Sequence, residues 1–424
     1  MKNLIKILTL TLASSILLVS CTTNTDTEST TEAVVDATTE STTEAEETED
    51  TDETTVDNRT PEEITTDQAI EILENHSTKN LTYAPLHDPD DAYNLNIVKN
   101  VHMVEVITGE YSINETKTNY SIGGTDLGIT FNDENQTYIA FGDTFANEGM
   151  HGIWRSNVMA VTTDTDYTDG ILFDSMISMP NRTLAKELIP SRKVNKIEMT
   201  TIPTGGIALD GALYLSFMSV NHWGPPGEWD INYGGIAKSV DEGQNWEILE
   251  DLQWPGDSHF GQMAPVQHED YIYVFGITGG RKDPLKLMRV PVAEYENFDA
   301  YEYFMGRDDE GNAIYAQGEE NIYDAANLID GAVGEMSVIY SEYLEEWIIT
   351  YMDGKADMVI ASSPNIDGPY SNPVILVAQS DFPGLYGAFM NPLWVSDDGT
   401  KIGFLLSLWD PVYNVVMMEM ELER

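Results

Sequence analysis

The segment GGTDLGITFNDENQTYIAFGDTF, residues 123–145, carries an aspartate at each end of what reads as one β-hairpin. Asp126 precedes the apolar run Leu127 to Phe131, and Asp143 follows the run Tyr138 to Phe141. The polar cluster 132–136 between them has turn chemistry. A symmetric turn centred between Glu134 and Asn135 predicts that Asp126 and Asp143 face each other across the ladder. Directly opposed residues have Cβ atoms about 4.5–5.5 Å apart, and like charges there repel. Two carboxylates that close cannot both ionise freely. One can stay protonated as a general acid while the other is an ionised nucleophile. Turn capping at each end, or a cation held between the two, fits the same pattern.

The hairpin that positions them is one of five. The others are GIALDGALYLSFMS, PVQHEDYIYVFGIT, VIYSEYLEEWIITYMD and WVSDDGTKIGFLLSLWD, so that copies begin near residues 129, 207, 266, 338 and 394. Each is an apolar strand, a polar turn and a second β-rich strand with period-2 patterning. Further strands lie between them, in WRSNVMAVTTD, GGIAKSVD, LKLMRVPV, DMVIASSP and VVMMEMEL. A four-stranded unit repeated around an axis is the signature of a propeller. The fold class expected is all-β, a five-bladed β-propeller over residues 96–424. Innermost propeller strands line a central channel, so both aspartates belong at one mouth of it. The stretch SVDEGQNW, Ser239 to Trp246, resembles the Asp box, a turn motif of sialidase-like propellers.

Several of these segments, in order, resemble one family. They are GGTDLG, FGDTF, WRSN, IPTGGIAL, SFMSVNHWG, PGEWDINYGGIAKS, YIYVFGITGGR, GEMSVIY and SLWDPVYNV, spanning roughly residues 96–424. The family is catalogued as domain of unknown function 4185 and overlaps glycoside hydrolase family 183, the endo-D-arabinofuranosidases. The resemblance implies a five-bladed propeller that cleaves furanoside glycans, with D-arabinan as the known substrate class. One departure is visible: YGAFMNP carries Asn391 where a histidine is expected. Retaining glycosidases hold their two carboxyl groups about 5–5.5 Å apart and inverting ones about 6.5–9.5 Å. The hairpin register therefore predicts retention.

With that substrate class in view, other residues acquire roles. Arg155 of WRSN is expected beside Asp143, holding it ionised as nucleophile and leaving Asp126 as acid/base; a blade-fixing ion pair is the other reading. Asn157 suits a sugar hydroxyl or the backbone. Glu335 begins its blade's first strand as Asp126 does, and so should face the same mouth. The loop NHWGPPGEWDINYGG offers Trp223, Trp229 and Tyr233 for stacking and Asn232 for hydroxyls. Asp410 ends a strand as Asp143 does and is a reserve carboxylate. Gln262, Arg281 and Tyr386 complete the candidates for substrate binding. His259 and His268 lack a spacing that implies a metal site. No cofactor is expected, although a structural channel cation such as calcium is compatible with the pattern.

The chain has 424 residues, with 72 acidic against 21 basic and a formal charge of −51. That balance excludes nucleic-acid partners, which need basic patches, and disfavours polyanionic substrates. Few arginines also argue against a sialidase, which needs an arginine cluster for the substrate carboxylate. No G-x-S-x-G, H-E-x-x-H, P-loop or G-x-G-x-x-G fingerprint stands in the right context. Residues 1–20 carry Lys2, Lys6 and an apolar run ending in Leu18-Val19-Ser20-Cys21, similar to a bacterial lipoprotein signal. Cys21 is the only cysteine, which rules out an intrachain disulfide. It is expected to carry the lipid, with residues 21–60 as an acidic, Thr-rich disordered tether. Residues 61–75 read as a short helix, and 61–95 as a lead-in to the propeller. The expectation is thus a monomeric protein anchored on the extracellular face of a bacterial membrane, acting on a neutral polysaccharide. A non-catalytic glycan-binding propeller, or a hydrolase of another neutral furanoside polymer, fits the same features.

Overall fold

The computed structural model describes residues 97–410 and 412–424. The signal-like segment, Cys21, the tether and the 61–75 helix lie outside the described residues.

The described strands fall into five antiparallel blade sheets and one separate two-stranded hairpin, Thr144–Asn147 with His151–Arg155, and each quoted hairpin supplies the first two strands of one blade. Blade 1 is Leu127–Asn132, Thr137–Phe141, Val158–Thr162 and Ser175–Met176. Blade 2 is Thr200–Leu209, Ala212–Trp223, Trp229–Ser239 and Glu247–Pro255. Blade 3 starts with Gln262–His268, Tyr271–Ile277 and Leu285–Pro291 and is widened by further short strands. Blade 4 is Val333–Ser341, Glu346–Asp353, Met358–Ser363 and Val374–Val377. Blade 5 is Leu385–Val395, Lys401–Leu408 and Asn414–Leu422, and its outer strand is Val98–Val106 from the other end of the described chain. Val98 pairs with Leu422 and Val106 with Val416, so hydrogen bonds between the two ends close the ring. A ring closed in this way leaves few free strand edges.

The first strands of successive blades touch one another in the circular order 1-2-3-4-5-1 and enclose the channel. Middle strands are sandwiched between neighbouring blades, and their composition reflects this. Every residue of TYIAF (137–141) and VMAVT (158–162) is buried, so the strands are apolar on both faces rather than alternating. Two cavities share Ile129, Thr204, Met336 and Phe389 in their walls, one of about 590 Å³ and the other of about 860 Å³. These four residues therefore lie where the two cavities adjoin.

The Asp-box stretch forms the turn between the third and fourth strands of blade 2. Asp241 accepts from Asn245 N (2.8 Å) and Asn245 Nδ2 (2.8 Å), while Trp246 Nε1 donates to Gly243 O at 2.9 Å. Asn391, the departure from the family pattern, is fully buried. It exchanges two 3.0 Å amide hydrogen bonds with Asn132, tying blade 5 to blade 1.

Candidate active site

The hairpin of blade 1 does not keep the symmetric register. Asn132 pairs with Thr137 and Ile129 with Ala140, as a turn centred between Glu134 and Asn135 requires. A bulge then intervenes, and Leu127 pairs with Phe141. Leu127 and Gly128 both have positive φ, 68° and 88°. A leucine there is strained, on the order of 1–3 kcal/mol. Gly128 is required by packing as well, because a Cβ would lie 2.9 Å from Leu405 Cδ1 of blade 5. Bulges commonly re-aim a side chain beside an active site. Here the bulge sets Asp126 opposite Gly142, whose N–H donates to Asp126 O at 3.2 Å. The aspartates are thus not a directly opposed pair, and the ladder argument for retention falls.

They nevertheless meet in the 590 Å³ cavity, which both line. Asp126 lies over Gly142: a Cβ there would come within 2.4 Å of Asp126 Oδ1. Tyr386 of blade 5 donates to Asp126 Oδ2 at 2.8 Å, while Asp126 Oδ1 is buried with no hydrogen-bond partner. Burial, reinforced by the charge of Asp143, pushes the Asp126 carboxyl up to about 7; Tyr413 and Tyr386 act in the opposite sense. Asp143 is held differently. Its Oδ1 accepts from Trp154 Nε1 (2.7 Å) and from Thr200 Oγ1 (2.6 Å). Burial raises it too, to about 6, with those two donors and the Lys193 charge opposing the rise. Lys193 Nζ sits 4.7 Å from the centre of the Trp154 ring. Both carboxyls keep some exposure to the cavity. Two inequivalent carboxyls therefore share one mouth, and the better hydrogen-bonded of them is Asp143.

Arg281 and Glu335 also line this cavity. They form a bidentate pair, with contacts of 3.1, 2.9 and 2.7 Å. The guanidinium stands 4.9 Å from the Tyr386 ring centre and 5.4 Å from that of Trp229. The pair therefore backs the tyrosine that holds Asp126. Gln262 donates to Thr278 O (3.1 Å) and Gly280 O (3.3 Å), fixing the turn that delivers Arg281. Trp223 and Trp229 also line the cavity.

Five expectations are corrected. Arg155 is not beside Asp143: its guanidinium donates to the carbonyls of Tyr120 (3.3 Å), Ala185 (3.2 Å) and Ser121 (2.5 Å), a clamp on backbone. Its neighbour Trp154 takes the place at Asp143, because successive strand residues point to opposite faces. Asn157 is fully buried and binds backbone groups of Leu188, Ile189 and Thr201. Asn232 donates to Ile197 O and Ser219 Oγ, and Tyr233 packs edge-on against Phe217; neither lines the cavity. Asp410 is exposed outside the cavity, while Trp409 before it lines the wall. Thr200 and Tyr413 were not among the sequence candidates. Thr200 opens the first strand of blade 2, a position equivalent to that of Asp126 in blade 1, which is the signal that could have found it. Among the described residues, no three His, Cys, Asp or Glu side chains gather as a metal-binding group.

These features define a five-bladed β-propeller with an acidic, aromatic-walled site at one channel mouth. The chain belongs to the family described as domain of unknown function (DUF4185), whose model matches residues 111–419. No curated protein matches the sequence. Among solved structures, a candidate hydrolase from Bacteroides ovatus is similar, with 12% identity, a TM-score of 0.51, and 79% of this chain and 96% of that one covered. A GH43_1 enzyme from Xanthomonas citri follows at 10% identity, TM-score 0.46, and 84% and 94% coverage. The Bacillus subtilis arabinanase stands at 11% identity, TM-score 0.42, and 70% and 96% coverage. Identities this low speak to the fold alone.

Proposed function

We propose that this protein is a glycoside hydrolase of furanoside polysaccharide, endo-acting on D-arabinan, with Asp126 as acid/base and Asp143 as nucleophile. The observation that carries the reading is the meeting of two carboxyls with unlike surroundings in one cavity. Asp126 is the group whose ionisation costs more, so it holds the proton near neutral pH. Asp143, with two hydrogen bonds to Oδ1, is the one that ionises first. The ordered family motifs support the furanoside substrate, and the acidic chain supports a neutral one.

In this mechanism Asp126 gives its proton to the leaving sugar oxygen as the glycosidic C–O bond breaks. Asp143 attacks the anomeric carbon and forms an ester. Asp126, now ionised, takes a proton from water, and the resulting hydroxide displaces Asp143. Both carboxyls return to their starting states. Retention is the form of the proposal that the shared cavity and the pull of the Asp143 charge on the Asp126 carboxyl support. It requires a carboxyl separation of about 5–5.5 Å rather than the about 6.5–9.5 Å that admits a water. The Leu18–Cys21 sequence supports lipid attachment on the extracellular face of a bacterial membrane.

The test is incubation of wild type, Asp126→Asn and Asp143→Asn proteins with D-arabinan and a panel of neutral glycans, followed by mass spectrometry and NMR of the first anomer formed. Internal fragments from D-arabinan in the retained configuration, lost in both variants, are expected. No new reducing ends from any glycan refutes the hydrolase, and an inverted first product refutes double displacement.

A further inference from the structure

Tryptophan is the costliest side chain to leave in water, and most of its area is normally covered. This chain has eight tryptophans. All eight lie among the described residues, where only Trp223 and Trp409 are exposed, at 38% and 54%, and both stand in the wall of the carboxylate cavity. Exposed apolar surface concentrated at a site marks something that binds there.

Their placement in the ring is symmetrical. Trp223 is the last residue of the second strand of blade 2, and Trp409 directly follows the second strand of blade 5. Blades 2 and 5 are the two neighbours of blade 1, which carries Asp126 and Asp143. Asp143 itself follows the second strand of blade 1. The three residues therefore lie within a few positions of the same end of the second strand in three adjacent blades, with a tryptophan-bearing blade on either side of the one that carries the carboxylates. Trp223 is held in place by buried Trp229, whose ring meets it edge-on at 5.6 Å and 65°. Arg281, the arginine in this wall, is occupied by Glu335, so the site offers no free guanidinium to an anionic chain.

We propose that Trp223 and Trp409 are stacking platforms that hold one neutral glycan chain on both sides of the Asp126–Asp143 pair; this rests on the glycan-cleaving reading above. A chain gripped on both sides of the scissile bond is cut internally, and the two platforms set which bond enters the site. Trp229, being buried, orients Trp223 and does not itself stack on sugar.

The experiment uses the full chain and D-arabinan oligosaccharides of graded length, labelled at the reducing end. Trp223→Ala and Trp409→Ala are each expected to raise KM about tenfold on long chains while kcat stays within a few-fold. They should also move the preferred cut in opposite directions along the labelled chain, a shift that a merely structural role would not produce. Trp223→Phe and Trp409→Phe, which keep an aromatic face, should restore the cut position, and thermal melts verify folding. Wild-type KM and cut position in both Ala variants, or shifts in the same direction, overturn the proposal. If wild type binds the chains, read by tryptophan fluorescence, without cutting them, the hydrolase reading fails. Loss of that binding in both Ala variants then still upholds the platforms, and a wild type that binds none of the chains overturns them.

Discussion

Replacing Asp126 by Asn separates the catalytic cost of this residue from its cost to the fold. The Asp126 carboxyl rises from the ordinary 3.8 to about 7 in the folded protein. A raised carboxyl binds its proton more tightly folded than unfolded, so stability is lost as pH climbs from about 4 to about 7. The penalty is absent below pH 4 and complete above pH 7. At about 1.36 kcal/mol per pK unit the ceiling is about 4 kcal/mol. Residual exposure to the cavity and coupling to Asp143 reduce it, and about 1–3 kcal/mol is the working range. Asn cannot ionise, so Asp126→Asn should melt above wild type at pH 8 by roughly 2–6 °C, at about 2 °C per kcal/mol for a domain of this size. The difference should vanish at pH 4. Turnover should fall by at least about 10²–10⁴, the share of a positioned acid. Melts from pH 4 to 8 beside hydrolysis rates measure both. A pH-independent melting difference, or a variant that is destabilised at pH 8 while keeping its activity, refutes the reasoning.

Four further outcomes follow from the same geometry. Gly142→Ala puts a methyl within 2.4 Å of Asp126 Oδ1, so activity should fall more than tenfold while circular dichroism shows an intact propeller. The pH profile of kcat/KM should be a bell rising near about 6 and falling near about 7, the values of Asp143 and Asp126. Thr200→Val removes a donor to Asp143 Oδ1, so the rising limb should move to higher pH, and a profile unchanged from wild type would exclude that role for Thr200. Deleting residues 98–106 removes the strand that closes the ring on Asn414–Leu422, and soluble yield should collapse, as a proteolysis assay would show.

The five hairpins were legible because each pairs two apolar runs through a polar turn, a signal local to about fifteen residues. The Asp-box turn was legible as a contiguous eight-residue motif, Ser239 to Trp246. What escaped depends on contacts between distant blades. The bulge at Leu127–Gly128 brings Gly128 against Leu405 of blade 5, a contact that no local pattern announces. The closing strand 98–106 lies at the opposite end of the described chain from its partner. Arg155 and Trp154 are adjacent in sequence, and only the strand's facing decides which reaches Asp143. Asn157 and Arg155 looked functional because polar residues near a site often are. Burial among unpaired carbonyls explains them equally well, and the structure assigns them to backbone. Trp409 and Asp410 are adjacent at a strand end, and only the folded ring decides that the tryptophan, not the acid, lines the cavity.

The proposed function has Asp126 and Asp143 cutting a furanoside chain together. Its most direct test is the size distribution of products from D-arabinan with wild type and Asp143→Asn under identical conditions. Wild type should give a ladder of internal fragments, and the variant should lose several orders of magnitude in rate. Fragments formed by the variant at within tenfold of the wild-type rate would contradict it.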